Sequence, residues 1–367
     1  VTDTRSLLDQ VRRGVDDLLA GHLAALTQEL APLGSACDPL VQSLATAVSG
    51  GKRLRAAFCY WSWRAHTDRS GAAADESRAL RVGAALELFH AAALVHDDVM
   101  DASDTRRGRP SAHRAFEARH REAGWARDPA RFGESAAILL GDLALITSER
   151  ELTAAVSDLD AARRSQVRAL FDEMRVEVTA GQYLDVLAEV TPWGADPVAD
   201  EERTRAVVRA KSARYSVEHP LTLGAALAGA GSPELRRLRR IGLALGEAFQ
   251  LRDDLLGVLG DPETTGKPAG DDLREGKRTL LVVRGAALAD EAGARLLRER
   301  VGRPDLSQRE VDELCEVLVV SGAVAEIERR ITDLADPALA ELAAAPLAEP
   351  ARQVLVELGR AAVHRTA

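Results

Sequence analysis

Ala84-Ala85-Leu86-Glu87-Leu88-Phe89-His90-Ala91-Ala92-Ala93-Leu94-Val95-His96-Asp97-Asp98-Val99-Met100-Asp101 is the stretch on which the fold of this chain turns. It is rich in Ala and Leu, both good helix formers, and shows no β-branched alternation, so it reads as one long helix. From about Leu80 to Met100 such a helix would run ~30 Å. Its end is acidic. Asp97 and Asp101, four apart, share a face, and Asp98 lies about 100° around from Asp97. Clustered carboxylates repel one another and lose hydration unless a cation joins them. Mg²⁺ suits the pair, being a hard ion held by one or two carboxylates together with waters and substrate phosphates.

A second apolar run ends the same way, at Gln250-Leu251-Arg252-Asp253-Asp254-Leu255-Leu256-Gly257. Two acidic helix ends that could face each other would cage Mg²⁺ carrying a polyphosphate above an apolar interior. The remaining long segments also carry helical periodicity, and breakers mark the gaps: Gly50-Gly51, Ser70-Gly71, Thr105–Pro110, Gly124–Gly133, Thr191–Pro197, Gly231-Ser232-Pro233, Gly260–Gly276 and Gly302–Ser307. No repeat of 20 to 50 residues and no low-complexity linker interrupts the pattern. The expectation is an all-α protein in which residues 1–367 form a single domain, a large helical bundle around a deep apolar cavity.

Composition narrows the function classes. Hydrophobic residues make up 46% and charged residues 29%, with a formal net charge of −9. That balance argues against nucleic acid as a partner. Uninterrupted apolar runs stay below 18 residues, Glu87 and Asp142 breaking the two longest, so no membrane span is expected. The first residues lack a basic segment followed by an apolar one, so no signal peptide is expected. Cys37, Cys59 and Cys315 are far apart and form no CxxC pair. They read as thiols in a reducing cytoplasm.

Basic residues cluster near the acidic ends. Arg106-Arg107-Gly108 follows Asp101, and paired arginines can take phosphate oxygens by forked donation. Gly50-Gly51-Lys52-Arg53-Leu54-Arg55 stands at a helix junction, where glycines let backbone N–H groups approach an anion. It lacks the spacing of a P-loop. Gly266-Lys267-Pro268 and Gly276-Lys277-Arg278 flank Asp271-Asp272, and Lys267 and Lys277 are placed to close over phosphates as a lid.

GGKRLR, His90, DDVMDASDTRRGRP, Lys211-Ser212, FQLRDD and TGKPAGDDLREGK occur in that order. The chain resembles the trans-type polyprenyl (isoprenyl) diphosphate synthases, and most of all the bacterial geranylgeranyl diphosphate synthases, from about Gly50 to Leu280. The resemblance implies that Lys52, Arg55, His90 and Arg107 hold the diphosphate of isopentenyl diphosphate. Arg106, Lys211, Ser212, Gln250 and Lys267 would contact the allylic diphosphate. Asp97, Asp101 and Asp253 would ligate three Mg²⁺, with Asp98 and Asp254 supporting. A homodimer is the family's usual state. Two departures stand out. Gly257 occupies the place where many relatives have a third aspartate, with Asp261 or a water as possible replacements. Ser212 stands where threonine is commoner, and it keeps the hydroxyl.

The reaction so implied is head-to-tail condensation of isopentenyl diphosphate with an allylic diphosphate, releasing diphosphate. Ala92 and Ala93, one turn deeper than Asp97, are small, and Phe89 is the first bulky residue below them. A C20 product is expected, with C15 or C25 and longer as alternatives. A terpene cyclase would carry (N/D)DxxSxxxE where this chain has Leu255, Leu256 and Gly257. A noncatalytic subunit of a heteromeric synthase would not need the intact first acidic patch.

Overall fold

The computed structural model describes residues 4–67, 73–260, 270–303 and 305–364. Apolar spacing sets the early helices. In α1 (Thr4–Leu30) the buried Val11, Val15, Leu19 and Leu26 recur on one face, as Val41, Leu44 and Val48 do in α2 (Asp38–Val48). α3 (Leu54–Ala65) is buried over most of its length. Then come α4 (Ala73–Met100), α5 (Ala112–Glu122), α6 (Pro129–Ala155), α7 (Ala161–Val190) and α8 (Pro197–Val207). A π-helix, Val208–Glu218, follows, and then α9 (His219–Leu227) and α10 (Ser232–Leu259). Further helices span Asp271–Glu275, Leu280–Leu288, Glu291–Arg300, Gln308–Val320, Ala323–Ala344 and Ala351–Val363. Among the described residues the one strand pair is a two-residue hairpin, Thr105–Arg106 with Arg109–Pro110. The fold is the all-α bundle that the sequence predicts.

The helices gather into two compact units whose chain segments interleave. The first takes residues 1–170, 220–235 and 347–354, and the second takes 171–219, 236–346 and 355–367. In the first unit α4 is the central element and packs on α6, α3 and α1. Small residues allow the close approaches. A β-carbon at Gly83 would stand 3.0 Å from that of Ala56, and one at Gly224 would collide with the Cys59 carbonyl. Leu86 and Leu88 are fully enclosed, and truncating such a side chain to alanine costs about 2–5 kcal/mol. The stretch Asp75–Met100 of α4 is long and apolar enough to cross a membrane, but 67% of its most apolar window is buried within the fold. Core packing accounts for its hydrophobicity.

In the second unit the π-helix lies against three glycines. Side chains at Gly181 of α7 and at Gly242 and Gly246 of α10 would collide with the backbone of Lys211, Glu218 and Ala213. Polar contacts and ion pairs hold the same region. His219, fully enclosed, bonds Glu177 at 2.8 Å, and Arg239 reaches Glu173 at 2.6 Å and Glu218 at 3.3 Å.

Several gaps differ from the expectation: Ser232 and Pro233 open α10, and Asp271–Glu275 is a short helix inside Gly260–Gly276. Pro129–Gly133 belongs to α6, because Asp128 caps the helix by accepting from the Ala130 N–H at 3.0 Å and Pro129 occupies its first turn. Thr105–Pro110 is not a plain loop but the hairpin. The break expected at Ser70-Gly71 lies outside the described residues.

Candidate active site

α4 delivers Asp97 and Asp98 in its last turn and Asp101 just beyond it. A helix C-terminus carries the negative end of the macrodipole, so it is the unfavourable end for carboxylates. Arg106 offsets part of this. Its Nε donates to Asp98 Oδ1 at 2.8 Å, and Nη2 reaches Asp97 Oδ2 at 3.4 Å. Asp98 is only 4% exposed and therefore anchors Arg106, whereas Asp101 is partly open. His96 is turned the other way, with Nε2 3.0 Å from the Ile138 carbonyl of α6.

The hairpin separates the two arginines. Thr105 pairs with Pro110 and Arg106 with Arg109, leaving Arg107-Gly108 as a two-residue turn in which both φ angles are positive (53° and 71°). That is the turn whose twist fits a tight hairpin. Arg106 then lies back over the aspartates, while Arg107 Nη1 donates to the Ser49 carbonyl at 2.8 Å. The Arg107 guanidinium also lies over Gly51, 3.3 Å from where a β-carbon would stand. Lys52 is exposed beside it, and Arg55 and His90 are partly exposed. His90 is held well below its ordinary pKa, first by burial and then by Arg55, Arg107, Arg106 and Arg53. The first unit thus assembles a basic pocket beside its carboxylates. Farther along α4, Ala93 is partly exposed, while Phe89 and Ala92 are buried.

His90 makes stability depend on pH. The folded chain keeps the ring neutral, while the unfolded chain protonates near pH 6.5. Its contribution is therefore present above about pH 6.5 and is lost as pH falls below it. In His90→Gln the fall in melting temperature between pH 7 and pH 5 is expected to be shallower than in the wild type. Equal slopes in scanning calorimetry would remove His90 from that account.

In the second unit Asp253 is exposed and Asp254 is buried, its carboxyl accepting from Gln250 Nε2 at 2.7 Å. Burial raises the Asp254 pKa to about 8; Gln250 lowers it, Asp272 and Asp253 raise it, and Lys277 lowers it. The structure also explains Gly257: a side chain there would collide with the Asp272 carboxylate. The glycine leaves a cradle, and Asp272 fills it. Lys277 sits 3.8 Å from Asp272 and 2.7 Å from Glu275. Lys267 and Asp261 lie outside the described residues.

Lys211 and Ser212 are in the π-helix, both partly exposed. π-helical stretches are rare and are often found at functional positions. Lys211 Nζ donates to Asp185 Oδ2 of α7 at 2.5 Å. Asp185 is the acidic partner that sequence reading passes over, and the contact of Asp272 with Gly257 is the placement it misses. Their signal lies in nearby glycines: Gly181, one turn before Asp185, and Gly257, against Asp272.

Comparison with known proteins agrees. Residues 38–318 match the family described as polyprenyl synthetase. The geranylfarnesyl diphosphate synthase of Aeropyrum pernix is 34% identical over 284 residues, covering 77% of this chain and 80% of the relative. The all-trans-nonaprenyl-diphosphate synthase (geranyl-diphosphate specific) of Rhodobacter capsulatus is 32% identical, over 95% of this chain and 96% of its own. Among solved structures, the geranylgeranyl pyrophosphate synthase of Corynebacterium glutamicum, complexed with isoprenyl diphosphate and magnesium, superposes with a TM-score of 0.90. It shares 36% identity over 98% of this chain and 99% of that one. A basic pocket beside an aspartate-ended helix, a second aspartate set closed by Asp272, and the extent of these matches lead to one assignment: the chain belongs to the polyprenyl synthetase family, the chain-elongating trans-prenyltransferases.

Proposed function

We propose that the chain condenses isopentenyl diphosphate with an allylic diphosphate to make geranylgeranyl diphosphate, C20. The observation that carries the product length is the small, partly exposed Ala93 one turn before Asp97, with buried Phe89 as the first bulky side chain below it. The donors fit Mg²⁺, and the reading takes three ions per site. Asp97 and Asp101 stand one turn apart at the end of α4, with Asp101 partly open, and a hard ion that shares its ligands with diphosphate asks only one or two carboxylates of the chain. Asp97, Asp101 and Asp253 would hold it, with Asp254 behind. Gly257 leaves the cradle that brings the Asp272 carboxylate near Asp254. The bound metal would supply Lewis-acid stabilisation of the departing diphosphate.

The chain's own residues do the rest. Arg106, Lys211 and the lysine loop of Lys267 and Lys277 neutralise the allylic diphosphate as its C–O bond breaks. Lys52, Arg55, neutral His90 and Arg107 hold isopentenyl diphosphate, whose double bond attacks the allylic cation. A proton then passes to the released diphosphate. Ser212, Gln250 and the carbonyls around Lys211 offer soft negative partners to the cation in a water-poor site. A homodimer is supported by the exposed apolar Leu139 and Ile146 along α6. The free thiols Cys37, Cys59 and Cys315 support a cytoplasmic setting.

Mass spectrometry of products made from isopentenyl diphosphate with each of the C5, C10 and C15 allylic primers tests the reading. Accumulation of C20 from every accepted primer is expected. No elongation from any primer would defeat it.

A further inference from the structure

Arg53 stands between the two cationic residues of the anion pocket yet points away from solvent. Its backbone is left-handed, φ 50° and ψ 42°, two residues after Gly51, and Gly50 and Gly51 have φ of 69° and 87°. A residue with a β-carbon is strained in that conformation, where glycine would not be. The side chain must return more than it costs. It is 7% exposed and makes a three-way tie. Nε donates to Asp16 Oδ1 of α1 at 2.9 Å, Nη2 to the Val48 carbonyl at the end of α2 at 2.5 Å, and Nη1 to Glu87 Oε2 of α4 at 3.4 Å. Glu87, 5% exposed, also accepts from the Ala56 N–H in the first turn of α3 at 3.4 Å. One guanidinium thus fixes the turn to three helices just where α3 starts.

Charge crowding gives the tie a purpose. Arg53, Arg55, Arg106 and Arg107 repel one another around His90. The Arg107 guanidinium is pulled below its usual pKa, first by burial and next by Arg53, with Glu87 acting against this. A flexible turn would relax by swinging its cations apart into water. We propose that Arg53 is the positioning residue of the isopentenyl-diphosphate pocket: clamped by Asp16, Val48 and Glu87, it keeps Lys52 and Arg55 converged before the anion arrives. This rests on the functional reading above and adds to it a residue that would not touch substrate. A forked donor is required, so lysine is not an equivalent.

Asp16→Asn supplies the test, since Asp16 is 46% exposed on α1 and its loss leaves the core intact. Removing a negative charge near an anion site should tighten binding if only charge matters, and loosen it if Asp16 holds the clamp. Isopentenyl diphosphate is titrated calorimetrically without an allylic partner, and KM is measured for both substrates. About threefold weaker binding is expected for Asp16→Asn and about tenfold for Arg53→Lys, with the allylic KM within about twofold of wild type. Unchanged or tighter binding by Asp16→Asn, or equal rises in both KM values, would overturn the proposal. Wild-type protein that binds isopentenyl diphosphate without condensing it would overturn the functional reading instead, and the binding ratio would still judge the clamp.

Discussion

Asp101→Asn is expected to lower kcat by about 10³-fold at saturating substrates, with the melting temperature of the substrate-free chain unchanged or raised. The two effects have one cause. Asp97, Asp98 and Asp101 crowd the negative end of α4, so removing a charge relieves the ground state while withdrawing a carboxylate that the proposed Mg²⁺ would need. Asp98→Asn should behave in the opposite way. Asp98 is buried and bonded to Arg106, and its loss should cost about 1–3 kcal/mol of stability. Calorimetry beside a steady-state assay separates the two roles. An Asp101→Asn protein that keeps wild-type kcat, or that melts lower than Asp98→Asn, would withdraw the ligand assignment.

Ala93→Phe should shift the main product from C20 to C15 or shorter. Ala93 is partly exposed on α4, so a phenyl group can enter open space and block a growing chain. Ala92 offers the contrast. It is wholly enclosed, and a ring there would overpack the core at a cost of about 1–3 kcal/mol or more. Ala92→Phe should therefore lower the melting temperature without a clean change in product length. Radiolabelled products resolved by chain length decide the matter, and an unaltered C20 product from Ala93→Phe would remove Ala93 from length control.

Much of this was legible because helical periodicity and the acidic ends are local properties of the chain. Asp97 and Asp101 share a face by spacing alone, and the start of α6 could have been read from Asp128-Pro129. Other features were not legible. The π-helix around Lys211 depends on three distant glycines that admit a backbone, and composition does not distinguish such a glycine from a loop glycine. Asp272 fills the space beside Gly257 from 15 positions later in the chain, a placement that follows from tertiary contact and not from local spacing. Glu87 reads in sequence as a mere interruption of an apolar run. In the fold it is the acid that steadies a cluster of arginines.

The interleaving of the two units constrains how the chain can be made. The first unit is incomplete without residues 347–354, where the Ala348 N–H donates to the Ala65 carbonyl at 3.0 Å. At ribosomal speeds the interval between the emergence of α3 and the emergence of that segment is roughly 15–60 s. Throughout that time the apolar face of α3 has an unfinished partner set. Expression in a host with slow elongation or scarce chaperones should therefore penalise yield more than any loss of final stability would suggest.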